Sequence, residues 1–543
     1  MELRVHGPRV ARGRPARRPG GAPAGARAGG ERAHALPARR PRRDRRGPAV
    51  AHRAGRGARV ARAVRGPLRV RADARADQAA VRAYQPVLRG HHDERLRWPR
   101  AGHCRGRGGT RDVITARLAI QGGTPAVSRR YRERWRSVHL RDLAAIVRYG
   151  WRDVNTIAKG DGPIAEFEQK FAALTRTRHA LAMNSGTAAL HSAYFAVGVK
   201  PGTEVVVPSY TFFASAAPIL QCGGTPAFCD VDARTLTADP DDVERRITPR
   251  TRAICVVHMW GNPAPMDRFA DIARRHGVAL IEDCSHAHGA SYRGRPVGSW
   301  GDIGCFSLQG VKAVSGGEAG IAVTNDPLLF DRMLVLGHYG RLKHGQAKRS
   351  FATDHISLGL KYRPHVYAIL LALGTLSRLD ELNRRRRRNY EILGAELAGC
   401  PAVQPVETTP EATRGGFLEF IVRYDPAHAG GWSCRAFIKA ARAEGVPIAE
   451  ERYAQIGDQG HMLHESPVFT TLDVSALGGC LGGRSAQLAP RRNGGLPVTQ
   501  LLAGRLMTLP PFTRVPERFV RECARALRKV ADGAAPAGGH GPT

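Results

Sequence analysis

The sequence predicts an α/β chain: a large domain built on a mostly parallel sheet, a smaller C-terminal α+β domain, and a disordered N-terminal extension. Three observations carry this reading. From Leu118 onward, short continuous apolar runs alternate with segments of helical period, as in a parallel sheet covered on both faces. Several chemistry-bearing residues fall just after those runs, at the strand ends where function collects in such sheets. The composition also changes abruptly near residue 117.

The first 117 residues hold 31 Arg, no Lys and 8 acidic residues, +23 of the chain's net +37. Arg, Ala, Gly and Pro dominate, and few aromatic or β-branched residues remain to form a core, so disorder is expected. Arginine runs neutralise phosphates without sequence specificity, which makes a nucleic-acid-binding arm one reading. The scarcity of aromatic residues for base stacking argues against it. A transit peptide is another reading, although Ser is almost missing. The expectation is sequence that GC-rich DNA yields when translated out of frame or upstream of the true start, with an unstructured real extension as the alternative.

The 543 residues allow two to four domains, and 42% hydrophobic residues suffice for a large core. Ten scattered cysteines form no CxxC pair, so neither a metal site nor a disulfide framework is expected. Cys222, Cys229, Cys255, Cys284 and Cys305 sit in apolar surroundings and read as reduced thiols of a cytoplasmic protein. No apolar run approaches the roughly 18 residues that cross a bilayer, and no secretory h-region opens the chain.

Ordinary sequence begins with LAIQGGTPAVS, Leu118 to Ser128. LRDLAAIVRYGW (Leu140 to Trp151) has apolar spacings of three and four, which predict a helix. From Pro163 to Val199 the pattern reads helix, short strand HALAMN, turn and helix, with Pro163 suited to a first helical turn. The turn is SGT, Ser185 to Thr187. A small residue, a hydroxyl and free N–H groups at a helix start are the requirements of a phosphate cup, although most such triplets are plain turns. EVVV (Glu204 to Val207) is a strand ending at Pro208, with a helix from about Phe213. Phe212 falls at that strand's mouth, where a ring could stack on a flat cofactor or simply join the core. TPAFCDVD and TRAICVVHMWGN are further strands, and DRFADIARRHG (Asp267 to Gly277) is the helix that intervenes before VALI.

The next stretch, Leu280 to Gly320, organises the rest. The apolar run VALI delivers Glu282-Asp283 at its end, and a His-rich turn follows. A second apolar segment, IGCFSL, leads to Lys312 in its exit loop. Pyridoxal phosphate needs a lysine amine for a Schiff base and a carboxylate to keep its ring nitrogen protonated. Desolvation lowers a lysine's pKa toward the range where the neutral amine attacks a carbonyl. Asp283 and Lys312 are the expected pair. Ser185, Phe212, His258, Asp283, Ser307 and Lys312 all lie just after strand-like runs.

Beyond Gly320, IAVTN reads as a strand and PLLFDRMLVLGHYG as a helix. Ser357 to Leu397 carries a long helix whose basic run, Arg384 to Arg388, reads as a solvated face. GGFLEFIVRYD is a strand and WSCRAFIKAARAEGV a helix. After the Gly-rich loop LGGCLGGRSAQLAPRRNGG the chain is expected to close in helices, with a frayed tail.

The motifs NSGTAALH, PSYTFFASA, IEDCSHAHGA, FSLQGVKAVSGGEAG, GLKYRPH and the late LPVT resemble those of the DegT/DnrJ/EryC1/StrS sugar aminotransferases, over about Leu118 to Val530. The resemblance implies pyridoxal-phosphate fold type I, the aspartate-aminotransferase-like architecture. On it, residues 118–375 form the large domain, 376–532 the small one and 533–543 a tail, behind the extension 1–117. It implies a homodimer with shared active sites. It makes Lys312 the Schiff-base lysine and Asp283 the partner of the pyridine nitrogen. Thr187, with the backbone at Gly186 and Ala188, looks like the phosphate cup, Ser307 like a further phosphate ligand, and Phe212 like the stacking ring. His286 stands where many members have Gln beside the phenolic oxygen, as in the branch acting on cyclitols. Lys361 replaces the Asn that reaches the neighbouring subunit's phosphate. The family's GGEGG is GGEAG here, with Ala319 in the tight turn.

The implied reaction moves an amino group from glutamate or glutamine to a keto-sugar or keto-cyclitol, with Lys312 as proton carrier. Related dehydratases have His in place of this lysine, which argues for transamination. The alternatives are an aromatising synthase of the same family and a DNA-binding regulator using the basic arm. No helix-turn-helix pattern supports the regulator, so nucleic acid is not an expected partner, and neither is a membrane.

Overall fold

The structure, a computed structural model, describes residues 117–128, 130–151, 159–343, 358–453, 462–470 and 495–534. The expected extension up to residue 116, the Gly-rich loop through residue 494 and the tail from residue 535 lie outside them.

Five apolar strands open the large sheet: β1 (His179–Met183), β2 (Glu204–Pro208), β3 (Thr225–Cys229), β4 (Thr251–Val257) and β5 (Ala279–Asp283). A small hairpin, β6 (Ser291–Tyr292) with β7 (Arg295–Pro296), precedes β8 (Ile303–Ser307) and β9 (Gly320–Thr324). The seven long strands run in the order β1-β9-β8-β5-β4-β2-β3. All pairings are parallel except those of β9, which is antiparallel to β1 and β8. Strand residues therefore alternate between two covered faces. Leu181, Val205, Cys255 and Ile281 pack against α3 (Gly186–Ala196) and α5 (Pro327–Gly337). On the other face lie α2 (Pro163–Thr175), α4 (Met266–His276) and α6 (Val366–Leu376), whose apolar residues cluster with Ala180, Val206, Ile254 and Ile321. The amphipathic α1 (Leu140–Gly150) packs on α6. Pro163 does open α2, at its first position.

The reversal at β9 positions the site. It sets Gly320, the first residue of β9, opposite both Met183 and Ser307, the last residues of β1 and β8. The loop carrying Lys312 can then stay at the carboxyl edge instead of crossing the sheet.

A second sheet has the order β10-β12-β14-β13, formed by β10 (Val403–Pro405), β12 (Phe420–Tyr424), β13 (Ala449–Glu450) and β14 (Leu506–Leu509). The two-residue β11 (Ala412–Thr413) joins the β6–β7 hairpin instead. Helices α7 (Leu379–Leu397), α8 (Cys434–Ala443) and α9 (Glu517–Ala534) complete this layer around Phe420, Phe437, Phe512 and Val520.

Three expectations change. LMTL was expected among closing helices, but it is the strand β14, bonded on both sides by β12 and β13. Short apolar runs carry no period that separates strand from helix, so the sheet decides. The expected single long helix between Ser357 and Leu397 is two, broken at Ser377–Arg378, where buried Arg378 turns to pair with Asp142 at 2.7 Å. Leu118 and Val127 pack with the second layer, although residue 118 was expected to open the large domain. Buried Glu444 draws them there by accepting the N–H groups of Ala119 and Ala126, both at 2.8 Å.

Candidate active site

The acidic pair at the end of β5 splits because neighbouring strand residues face opposite ways. Glu282 is fully buried and accepts the N–H groups of Gly298 and Gly301, both at 2.8 Å. It also accepts from His258 Nε2 at 3.1 Å, and His258 Nδ1 in turn accepts the Ala264 N–H. That pattern makes Nε2 the donor nitrogen of His258 and Nδ1 the acceptor. Cys284 lies close enough to complete a ligand trio, but both other members are already bonded to protein groups. Glu282 and His258 thus hold the scaffold together, which removes His258 from the expected strand-end set.

Asp283 faces the other way, into a cavity of about 530 Å³ at the carboxyl edge of the sheet. Its Oδ2 accepts from Ser215 Oγ at 2.7 Å and its Oδ1 from the Ser285 N–H at 3.0 Å. Ser215 Oγ is also bonded to Thr211 Oγ1 at 2.9 Å, and Tyr194 OH donates to the Ser215 carbonyl. The carboxylate is held by two donors, one of them, Ser215, itself fixed by Thr211 and Tyr194.

Lys312 lines the same cavity. Burial pushes its amine down to about 8, with the Arg452 guanidinium adding to that and Asp283 opposing it. Its loop is pinned: Leu308 N–H bonds Ala319 O, Gly316 N–H bonds Leu308 O, and Thr375 of α6 takes the Ser315 N–H. Gly317 carries the left-handed turn of the GGEAG segment at φ 83°, whereas the methyl group of Ala319 is buried against the apolar core. The Ala-for-Gly exchange therefore sits where an L-residue fits.

The third wall is the N-terminus of α3. Ser185 caps the helix, its Oγ accepting the Ala188 N–H at 3.0 Å. The Gly186 and Thr187 N–H groups belong to the first turn, which has no intrahelical acceptors, and both residues line the cavity. Ala188 was expected in the cup, yet its N–H is spent on Ser185 and its side chain is buried in the core behind. The approach is tight. A Cβ at Gly186 would lie 2.7 Å from Ser307 Cβ, and one at Gly320 only 2.2 Å from the Ser185 carbonyl oxygen.

His286, 6% exposed, forms an aromatic wall with Trp260 and Tyr453. Its ring lies nearly parallel to Tyr453 at 5.9 Å and tilted against Trp260 at 5.2 Å. The Trp260 N–H donates to Nδ1 at 3.4 Å, leaving Nε2 to carry the proton. Burial, aided by the charge of Lys312, keeps the ring neutral. Phe212 lies at the rim, half-exposed, with Phe213 beside it and Tyr453 at 5.9 Å. Ser307 ends β8 at the cavity. Lys361 is the outlier: it is exposed and does not line this chain's cavity.

Seven of the expected residues thus converge on one cavity: Gly186, Thr187, Phe212, Asp283, His286, Ser307 and Lys312. Sequence reasoning missed Thr211, Ser215, Glu318 and Arg452. PSYTFFASA held the signal for the first two; nothing local announced Arg452.

These groups fit pyridoxal phosphate. The helix N-terminus with its hydroxyls suits a dianion, a low-pKa amine suits an aldehyde, and a fixed carboxylate suits a pyridinium.

The profile of the DegT/DnrJ/EryC1/StrS aminotransferase family matches residues 151–460. L-glutamine:2-deoxy-scyllo-inosose aminotransferase of Streptomyces kanamyceticus is 32% identical over 77% of this chain and 97% of its own length. The crystal structure of DesI with its TDP-sugar product superposes with a TM-score of 0.60 at 30% identity, over 76% of this chain and 96% of that one. The crystal structure of 3-amino-5-hydroxybenzoic acid synthase gives a TM-score of 0.61 at 26% identity, over 74% and 99%.

Proposed function

The chain belongs to the DegT/DnrJ/EryC1/StrS aminotransferase family, and on that premise we propose that it carries an amino group from glutamine or glutamate to a keto-cyclitol or keto-sugar, using pyridoxal 5′-phosphate held by Lys312 and Asp283. The observation that carries this reading is a single cavity in which a buried lysine amine, lowered to about 8, faces a fixed carboxylate beside a helix N-terminus. When bound, the cofactor supplies an aldehyde and an electron-withdrawing ring.

The chain's residues do the rest. The Gly186 and Thr187 N–H groups, with the Thr187 and Ser307 hydroxyls, hold the phosphate. Asp283, kept in place by Ser215 and Ser285, holds a proton on the ring nitrogen. His286 would offer its Nε2–H to the cofactor's phenolic oxygen, and Phe212 at the rim would supply a stacking ring. Lys312 would hold the cofactor's aldehyde carbon, and its free amine would be the base that moves the proton at the donor's α-carbon. His286 is held for its role by its packing on Tyr453 and Trp260 behind it.

The cyclitol acceptor is favoured by the similarity to the inosose aminotransferase and by His286. In our reading the protein works as a cytoplasmic homodimer in which exposed Lys361 serves the neighbouring copy's phosphate. Exposed Val311 and Phe213 support it, since they offer apolar surface at the rim of the cavity. The eight free cysteines among the described residues fit a reducing compartment, and no described helix is long and apolar enough to cross a membrane.

The test is to load the protein with cofactor, add amide- and amine-labelled glutamine, and offer 2-deoxy-scyllo-inosose or a TDP-linked keto-sugar. Label from the α-amine must appear in the product. An aromatic product formed without donor consumption would instead favour the aromatising synthase.

A further inference from the structure

Arg452 stands apart from the groups used above. It follows β13 in the second sheet yet lines the cavity of the first. Its position is fixed on both sides. Tyr453 is buried against Trp260, and its N–H bonds Glu451 Oε1 at 2.8 Å, while Glu451 N–H bonds the Leu506 carbonyl of β14. The guanidinium is paired with Glu419, whose other oxygen accepts Thr508 Oγ1 at 2.6 Å. About half of the Arg452 side chain stays open to a ligand, at 53% exposure. Its charge reaches the heart of the site, since it depresses both the Lys312 amine and the His286 ring.

Among the described residues lining the cavity, the ionic groups are Asp283, Glu318, Lys312 and Arg452. Asp283 and Lys312 are committed to the cofactor. Every amino-acid donor brings an α-carboxylate next to the reacting carbon, and the keto acid that leaves carries it too. A carboxylate entering a partly dehydrated cavity needs a cation, and a guanidinium offers a planar fork that matches it. A keto-cyclitol brings no such charge. The two half-reactions thus make opposite demands on one cavity, and a guanidinium with a resident counter-ion meets both. Glu419 engages part of the five-donor fork and keeps the charge paired when the acceptor is bound; the remaining N–H groups serve the donor.

We propose that Arg452, held by Glu419, is the specificity residue for the donor half-reaction and binds the α-carboxylate of the amino-acid donor. This rests on the aminotransferase reading above.

The experiment follows each half-reaction separately by stopped-flow absorbance, comparing the wild-type chain with Arg452→Gln and Arg452→Lys. Measured above the Lys312 midpoint of each protein, Arg452→Gln raises the apparent KM for glutamine by about 10- to 100-fold, while the acceptor half-reaction with inosose changes less than about twofold. Arg452→Lys recovers part of the loss. Glutaminamide, which lacks the carboxylate, reacts as poorly with wild type as glutamine does with Arg452→Gln, and the two losses do not add. The glutaminamide arm shows whether the site demands a carboxylate at all, and Arg452→Lys, which keeps the charge, carries the test of the residue if Arg452→Gln fails to fold. Equal losses in both halves, additive losses, or no loss would overturn the proposal. So would a loss confined to a TDP-linked acceptor, which would assign the guanidinium to a diphosphate. Wild-type protein that takes no amine from glutamine overturns the aminotransferase reading itself, and is recognised before any variant is compared.

Discussion

Ser215 Oγ donates to Asp283 Oδ2 at 2.7 Å, joining the turn after β2 to the end of β5 across 68 positions. That bond fixes the carboxylate where it would face a pyridinium nitrogen. Ser215→Ala is expected to lower kcat by about tenfold, in line with the net value of one hydrogen bond to a charged group. Asp283→Asn, isosteric but neutral, should lower it by several orders of magnitude while leaving the thermal midpoint within a few degrees. Steady-state kinetics and calorimetry on the three proteins check both.

The neighbouring carboxylate should behave in the opposite way. Glu282 is fully buried and bonded to two backbone N–H groups and His258. Glu282→Ala leaves those donors unsatisfied and is expected to destabilise the fold by about 3 kcal/mol or more. Denaturant unfolding would detect it, and an unchanged midpoint would contradict the structural role given to this residue.

The Lys312 amine, lowered to about 8 by burial, sets a pH dependence. Only the neutral amine attacks an aldehyde, so cofactor attachment to the apoprotein should rise with pH and reach half its maximum near pH 8, well below an ordinary lysine's range. Arg452→Gln removes a cation that depresses this amine and moves the midpoint upward. Lys312→Ala should abolish attachment altogether, read as cofactor mass retained after borohydride reduction.

Gly320 is a steric prediction. Its Cβ would stand 2.2 Å from the Ser185 carbonyl oxygen, backbone that cannot swing aside. Gly320→Ala is expected to displace the N-terminus of α3 and weaken cofactor binding by at least about tenfold, measured by equilibrium dialysis. Gly317→Ala strains a left-handed turn with open space around it, so its effect should fall on stability and spare affinity.

Much of the site could be read directly, because the chemistry sits at the ends of apolar runs. VALI followed by Glu-Asp, and IGCFSL followed by a loop with Lys312, place a carboxylate and an amine at one sheet edge whatever the details. The same logic also picked out His258, which follows β4 but turns toward Glu282. Ala188 shows a finer limit: a helix start offers free N–H groups, but which of them Ser185 consumes depends on its rotamer.

The amino-acid sequence alone determined the alternation of strand and helix, the parallel core, the lysine–aspartate pair and the family, since each rests on local period or short motifs. Tertiary structure decided which carboxylate of the Glu282-Asp283 pair faces the cavity, that Leu506–Leu509 is a strand, and that Arg452 reaches the Lys312 pocket from the other sheet. The physical reason is separation along the chain. Contacts between residues tens to more than a hundred positions apart are fixed by how whole layers pack, and no local pattern encodes that.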